Sequence, residues 1–235
     1  MKPPPIRQVA VVIPVHDEEE HLGPCLDAVT RARHALQEDS ARPARTVVVL
    51  DRCRDRSADI AHAAGADILI SRYGRVGAVR AQGMARALSA FGHEDPGRIW
   101  LACTDADGQV PEDWLVRQLE FADDGADCVV GTVEPVGLGP ELLQRWLQEH
   151  RLCEDHPHVH GANLGIRASV YAMTSGFGDM ALHEDRDLVA RVRSLGATVV
   201  ATDFTRVSTS GRMTSKVEAG FAAYLRNLVH PGEML

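Results

Sequence analysis

The chain has 235 residues, 45% of them hydrophobic and 25% charged, a globular balance sized for one α/β domain and remote from disorder. Its net charge of −8 argues against nucleic acid as the main partner, because phosphate recognition on that scale wants a basic face. The five cysteines (Cys25, Cys53, Cys103, Cys128 and Cys153) form no CxxC pair and read as reduced thiols, and no apolar run approaches the ~20 residues of a membrane helix. The opening Met1-Lys2-Pro3-Pro4-Pro5 has no signal-peptide core, so the expected location is the cytoplasm, with peripheral membrane attachment and homo-oligomer formation both compatible.

Val9 to Val15 is a β-branched apolar run, the pattern of a buried parallel strand. Leu22, Leu26, Val29, Arg33 and Leu36 follow at helical spacing. Thr46 to Leu50 is a second strand, Ser57 to Ala64 a short helix ended by Gly65, and Ala66 to Ser71 a third strand. Val76 to Phe91 is a helix, Arg98 to Cys103 a strand, Glu112 to Ala122 a helix and Asp127 to Val133 a strand. Strict alternation of this kind predicts a parallel sheet with covering helices. The remainder is less regular: a helix over Gly139 to Cys153, a loop and short strand over His156 to Ile166, a helix over Glu184 to Leu195, a strand over Thr198 to Thr202, and a closing amphipathic helix over Lys216 to Leu228. One domain is expected, with a ligand-binding half over about 6–133 and a second half over about 134–235.

Four consecutive strands end in polar segments, where ligands of open α/β sheets sit. The first ends in Pro14-Val15-His16-Asp17-Glu18-Glu19-Glu20, whose acids also suit the positive end of the next helix. The second ends in Asp51-Arg52-Cys53-Arg54-Asp55-Arg56-Ser57, where Asp55 and Ser57 read as caps. The third is followed by Gly74-Arg75-Val76-Gly77, with Arg80 further on: glycines for close backbone approach, a helix N-terminus and local positive charge, all suited to phosphate. The fourth ends in Asp105-Ala106-Asp107, hard carboxylates that suit Mg²⁺ or Mn²⁺, although an acidic turn alone has the same composition.

Together and in this order, from about Val9 to Arg212, these segments resemble the family 2 glycosyltransferases of GT-A fold. The resemblance extends to Gly161-Ala162-Asn163, Gly176-Phe177 and Glu184-Asp185-Arg186-Asp187-Leu188. It implies an α/β Rossmann-like, mostly parallel sheet with flanking helices, and a hexosyltransferase-type enzyme that moves a sugar from a nucleoside-diphosphate sugar, UDP-linked by preference, to an acceptor hydroxyl with inversion. It also implies Mn²⁺ or Mg²⁺ at Asp107 and Asp105. Donor contacts would come from Pro14, Val15, Asp17, Glu19, Asp51, Gly74, Arg75, Arg80, Asp105 and Arg212. Acceptor contacts would come from Gly161, Ala162, Asn163 and His183, with Asp185 as general base and Glu184 as its rival. The acceptor itself, whether sugar, lipid headgroup or small metabolite, is left open.

The chain departs from the family pattern at Arg52-Cys53, and no histidine lies between His183 and His230 to serve as a further metal ligand. His156, His158 and His160 would share one face of an extended segment, either as a metal site or as a loop beside the acceptor. A sugar nucleotidyltransferase is disfavoured because His16 to Glu20 would repel a triphosphate. A nucleotide-sugar-binding module without catalysis is disfavoured by the two carboxylate pairs.

Overall fold

The computed structural model describes residues 2–180 and 182–212, together with Tyr224 and Leu225. Strand β1 (Gln8–Val15) is buried along nearly its whole length, as expected of a central parallel strand. It pairs in parallel with β2 (Ala44–Asp51) and with β4 (Ile99–Cys103), and β2 pairs in parallel with β3 (Asp67–Ser71). Helices α1 (Leu22–Ser40), α2 (Ser57–Ala63) and α3 (Val76–Ala90) connect them. Helix α3 lies tight on the sheet because Gly83 has no side chain: a Cβ there would stand 2.3 Å from Val12 and 2.8 Å from Val49.

The second half departs from simple alternation. After the two-residue β5 (Gly108–Gln109), α4 (Trp114–Asp124) leads to β6 (Cys128–Val136). Strand β7 (Leu164–Arg167) then inserts between β4 and β6, antiparallel to both. Strand β8 (Val199–Ser210) runs parallel to β6, and β5 closes the edge, giving the order β3-β2-β1-β4-β7-β6-β8-β5. The sheet is thus mixed α/β and mostly parallel, and each of its antiparallel pairings involves β7 or β8.

Helix α5 (Pro140–Glu149) stops before Cys153, a short α6 (Ala168–Met173) follows β7, and α7 (Glu184–Ser194) falls where helical spacing placed it. Strand β8 extends eight residues beyond the expected Thr202, because its pairing with β6 resumes at Val207 after a register shift. The closing helix expected over Lys216 to Leu228 lies outside the described residues except at Tyr224 and Leu225. Among the described residues no helix is long and apolar enough to cross a membrane.

Candidate active site

The parallel strands deliver their polar ends to one cleft of about 560 Å³, lined among others by Pro14, Val15, Asp51, Gly74, Asp105 and Asp107. At its first end Asp51, only 5% exposed, accepts a hydrogen bond from the Gly74 amide at 2.9 Å through Oδ2. Its Oδ1 is buried and has no hydrogen-bond partner among the described residues. Gly74 has φ +70°, and a Cβ there would strike the Arg52 guanidinium at 2.5 Å, so the turn requires glycine.

The two carboxylates of the Asp-Ala-Asp segment have different partners. Asp105 accepts from Arg80 at 2.5 Å, and Asp107 lies 3.1 Å from Arg212. Arg212 also grips both oxygens of Glu18, at 2.6 and 2.5 Å, tying the end of β8 to the turn after β1. Burial, aided by the neighbouring Asp105 charge and opposed by Arg212, pushes the Asp107 carboxyl up to about 6. A buried carboxylate raised in this way beside a second one is relieved by a cation, and the hard oxygens of the pair fit Mg²⁺ or Mn²⁺. The pair offers two ligand groups, so other ligands would have to come from a bound diphosphate and water.

Arg80 joins the two ends of the cleft. It is 3% exposed, and its guanidinium holds Asp105 with one arm and Glu184 with the other. Burial opposes its charge, yet Asp105 and Glu184 hold its pKa above the usual arginine value. Burial raises Glu184 above the usual carboxylate range, and Arg80 opposes that rise. Space for this node depends on two glycines: a Cβ on Gly161 would meet the Arg80 guanidinium at 2.6 Å, and one on Gly77 would meet Gly178 O at 2.2 Å and Glu184 Cβ at 3.0 Å.

Asp185 follows on the first turn of α7. Its Oδ2 accepts from the Gly161 amide at 2.7 Å and its Oδ1 from the Arg186 amide at 2.7 Å. Gly161, Ala162, His183 and Asp185 all line the cleft. So does His160, expected either in a metal site or in a loop beside the acceptor, and so do His16, Arg52, Trp146, His150, Arg186 and Tyr224, which the motifs did not single out as ligand-facing. A helical stripe through Trp146 and His150 was the one available signal for two of them.

Four expected site residues, Asp17, Glu19, Arg75 and Asn163, do not line the cleft, and a fifth, Arg80, lines it with both arms engaged. Asp17 has φ +53° and its carboxylate accepts from the Arg54 and Asp55 amides at 2.6 and 3.3 Å, bracing one loop on the other. Glu19 turns to the Arg56 amide and side chain, and Glu18 between them is the residue that enters the cleft. Arg75 pairs with Asp179 at 2.7 Å on the surface. Arg80 lines the cleft, but both its arms are committed to carboxylates rather than held out to a phosphate. Asn163 is fully buried: Oδ1 accepts from the Trp114 indole at 2.9 Å, and Nδ2 donates to Thr132 O and Thr205 O at 2.8 and 2.6 Å. With both amide hydrogens and its oxygen engaged in the core, Asn163 does not line the cleft.

Among the described residues the one preassembled group of three ligating atoms is Asp17, Cys53 and Asp55, which includes neither Asp107 nor a histidine. Backbone amides already engage both of its carboxylates, Asp55 through the Glu19 and Ser57 amides. His156, His158 and His160 do stand side by side, at ring-centroid distances of 5.9 and 6.1 Å, but their nitrogens do not converge on one point.

The sequence model described as "Glycosyl transferase family 2" matches residues 10–175. The chain belongs to this family. Two curated members illustrate the relation. It is 26% identical over 209 residues to "Probable glycosyltransferase YdaM" of Bacillus subtilis, covering 80% of this chain and 47% of that protein. It is 29% identical over 214 residues to "Undecaprenyl-phosphate 4-deoxy-4-formamido-L-arabinose transferase" of Pseudomonas syringae, covering 89% of this chain and 58% of that one. The chain therefore spans about half the length of these curated relatives. Among solved structures, mannosyltransferase PcManGT from Pyrobaculum calidifontis, in complex with GDP-Man and Mn²⁺, superposes with a TM-score of 0.60. It has 17% identity and covers 93% of this chain and 60% of that one, a likeness of fold, which is the GT-A fold of family 2.

Proposed function

We propose that the chain transfers a sugar from a UDP-linked donor to an acceptor hydroxyl, with a divalent ion at Asp105 and Asp107 and inversion at the anomeric carbon. The observation that carries this reading is the convergence, in one cleft, of Asp51, the Asp105–Asp107 pair and Asp185, in the order that donor base, diphosphate and acceptor demand.

The preference for uracil rests on Asp51. Its Oδ2 is occupied by the Gly74 amide, and its Oδ1 alone is free. One free acceptor matches the single imide N–H of uracil, whereas guanine presents adjacent donors that want both oxygens. A divalent ion held by the Asp105–Asp107 pair would supply neutralisation of the diphosphate as it leaves, so that no protein acid is needed there. Asp185 is the base. Its two backbone hydrogen bonds orient it, and it can accept the acceptor hydroxyl proton as the new bond forms. Glu184, locked on Arg80, is not free to do so. A single base opposite the leaving group implies one displacement, by the geometric logic that distinguishes inverting from retaining sugar chemistry.

The test is a thermal-shift comparison of UDP and GDP with Mn²⁺ or with EDTA, since a ligand of the native state raises its stability. UDP with Mn²⁺ should give the largest shift. Equal shifts with EDTA would remove the ion, and a larger shift with GDP would remove the base assignment. Retention of the donor's anomeric configuration in the product would remove the single displacement.

A further inference from the structure

The far end of the cleft is built of flat rings and has the opposite electrical character from the donor end. Trp146 and His150 stack with centroids 3.4 Å apart, and His158 stacks on His150 at 4.7 Å. His160 stands 6.2 Å from His150 and 6.1 Å from His158. Arg186, on α7, lines the same end of the cleft as His150 and His160.

The tautomers follow from the partners. His150 Nδ1 lies 3.2 Å from Trp146 O, a pure acceptor, so Nδ1 carries the hydrogen and Nε2 is the basic nitrogen. His158 Nε2 accepts from the Arg151 amide at 3.3 Å, and His156 Nε2 donates to Thr202 O at 3.3 Å. His160 has no side-chain hydrogen bond among the described residues, so both its ring nitrogens are available to a ligand.

The acids that face these rings are engaged elsewhere. Glu149 accepts from the Tyr224 hydroxyl, and Asp185 is held by the two amides described above. Arg186, His183, His150 and His160 line the cleft beside Asp185 and the Arg80-paired Glu184. Burial pushes His150 down to about 4, helped by His158 and Arg186 and opposed by the bond to the Trp146 carbonyl and by Glu149; burial, then the other histidines and Arg186, push His160 down to about 3. Near pH 7 these two imidazoles are therefore neutral beside the charged Arg186, and the acid that favours a charge on His150, Glu149, is shared with the Tyr224 hydroxyl.

We propose that this end of the cleft binds the phosphate monoester of an anionic acceptor, with proton uptake by His150 and His160. This rests on the transferase reading for the identity of the ligand as acceptor, and on the ring cluster alone for its charge. A phosphate dianion converts the repulsion among imidazoles and Arg186 into charge-assisted hydrogen bonds, in a site dry enough to make them strong. The Arg186 fork and two imidazolium N–H groups suit the several outward oxygens of a phosphate. The acceptor would be either a soluble phosphate ester or a lipid phosphate.

The experiment uses the full chain with UDP and Mn²⁺ present, so that the donor end is filled. Sulfate, a dianion throughout the range, is titrated by calorimetry at pH 8 and pH 6, in two buffers of different ionisation heat. Affinity should rise on acidification, by up to about tenfold per pH unit for each proton taken up, with buffer-dependent heats. His150→Gln and His160→Gln should flatten that dependence while the UDP–Mn²⁺ thermal shift, which reports the fold and the donor site, persists. Glycerol 3-phosphate and phosphatidic-acid vesicles then separate the two sources. Binding of the first alone assigns a soluble ester, and co-sedimentation with the second a lipid. A sulfate affinity equal at both pH values, displacement of sulfate by UDP, or binding of neither phosphate overturns the proposal. Sulfate binding as described with no UDP–Mn²⁺ shift would instead overturn the donor reading and leave the anion site standing.

Discussion

The proposed donor end and the proposed acceptor end of the cleft solve the problem of buried polarity in different ways. At the donor end charges are paired: Arg80 with Asp105, Arg212 with Glu18 and Asp107, Asp51 with a backbone amide. At the acceptor end polarity is kept neutral: imidazoles stack on one another and on Trp146, and their protons are lost rather than compensated. A paired site is set to exchange one cation for another. A neutralised site is set to respond to charge brought by its ligand. Arg80, bound to Asp105 on one side and Glu184 on the other, is the mechanical link between them.

That contrast is broken most severely by variants that act on one end alone. Asp185→Asn keeps the shape but removes the base, and turnover should fall by about 10²–10⁴-fold with the UDP–Mn²⁺ thermal shift preserved. Asp107→Ala should cost a comparable or slightly smaller factor, about 10²–10³-fold, and should abolish the Mn²⁺ dependence of the UDP shift. If either variant showed the other's signature, the division of labour along the cleft would be wrong.

Arg80→Gln tests the link. It leaves Glu184 as an uncompensated buried carboxylate, and breaking a buried pair from one side typically costs about 3–5 kcal/mol. Chemical denaturation should register that loss, and acceptor KM and donor affinity should worsen together. Loss at one end only would show that Arg80 serves that end and not both. Asn163→Ala should destabilise by about 1–3 kcal/mol for the indole and carbonyl partners it orphans, and in the folded fraction acceptor KM should be unchanged. A rise in KM without loss of stability would return Asn163 to the acceptor site.

The smallest effect is the response to acid. Histidines whose folded pKa lies below 6.5 bind fewer protons than the unfolded chain, so they favour the fold above that value and lose this contribution as pH falls toward about 4. Melting temperature should therefore decline between about pH 6.5 and 4, and His150→Gln should shallow that decline. A melting curve that is flat over this window would mean that the imidazoles are not desolvated in solution.

Much of the donor end was legible because strand ends are a product of local pattern. Apolar runs such as Val9 to Val15 and Thr46 to Leu50 locate strands with no knowledge of their neighbours, and the residues after them fall at the sheet edge where Asp51, Asp105 and Asp107 now stand. Position along the chain did not say which way a side chain turns. Glu18 rather than Asp17 or Glu19 enters the cleft because the left-handed Asp17 reverses the turn, and no spacing rule carries that information.

The sequence by itself determined the alternating α/β half, the carboxylate pairs and, through their order, the family. Tertiary structure decided the rest: the insertion of β7 between β4 and β6, the burial of Asn163 against Trp114, and the meeting of His150 from α5 with His160 from the loop before β7. Local pattern reaches about one helical turn or one strand, as far as neighbouring side chains interact directly. Hydrogen bonds such as those of Asn163, which reach across 49 residues to Trp114, exist only once the sheet has closed, and with them the choice between a ligand contact and a core pin is made.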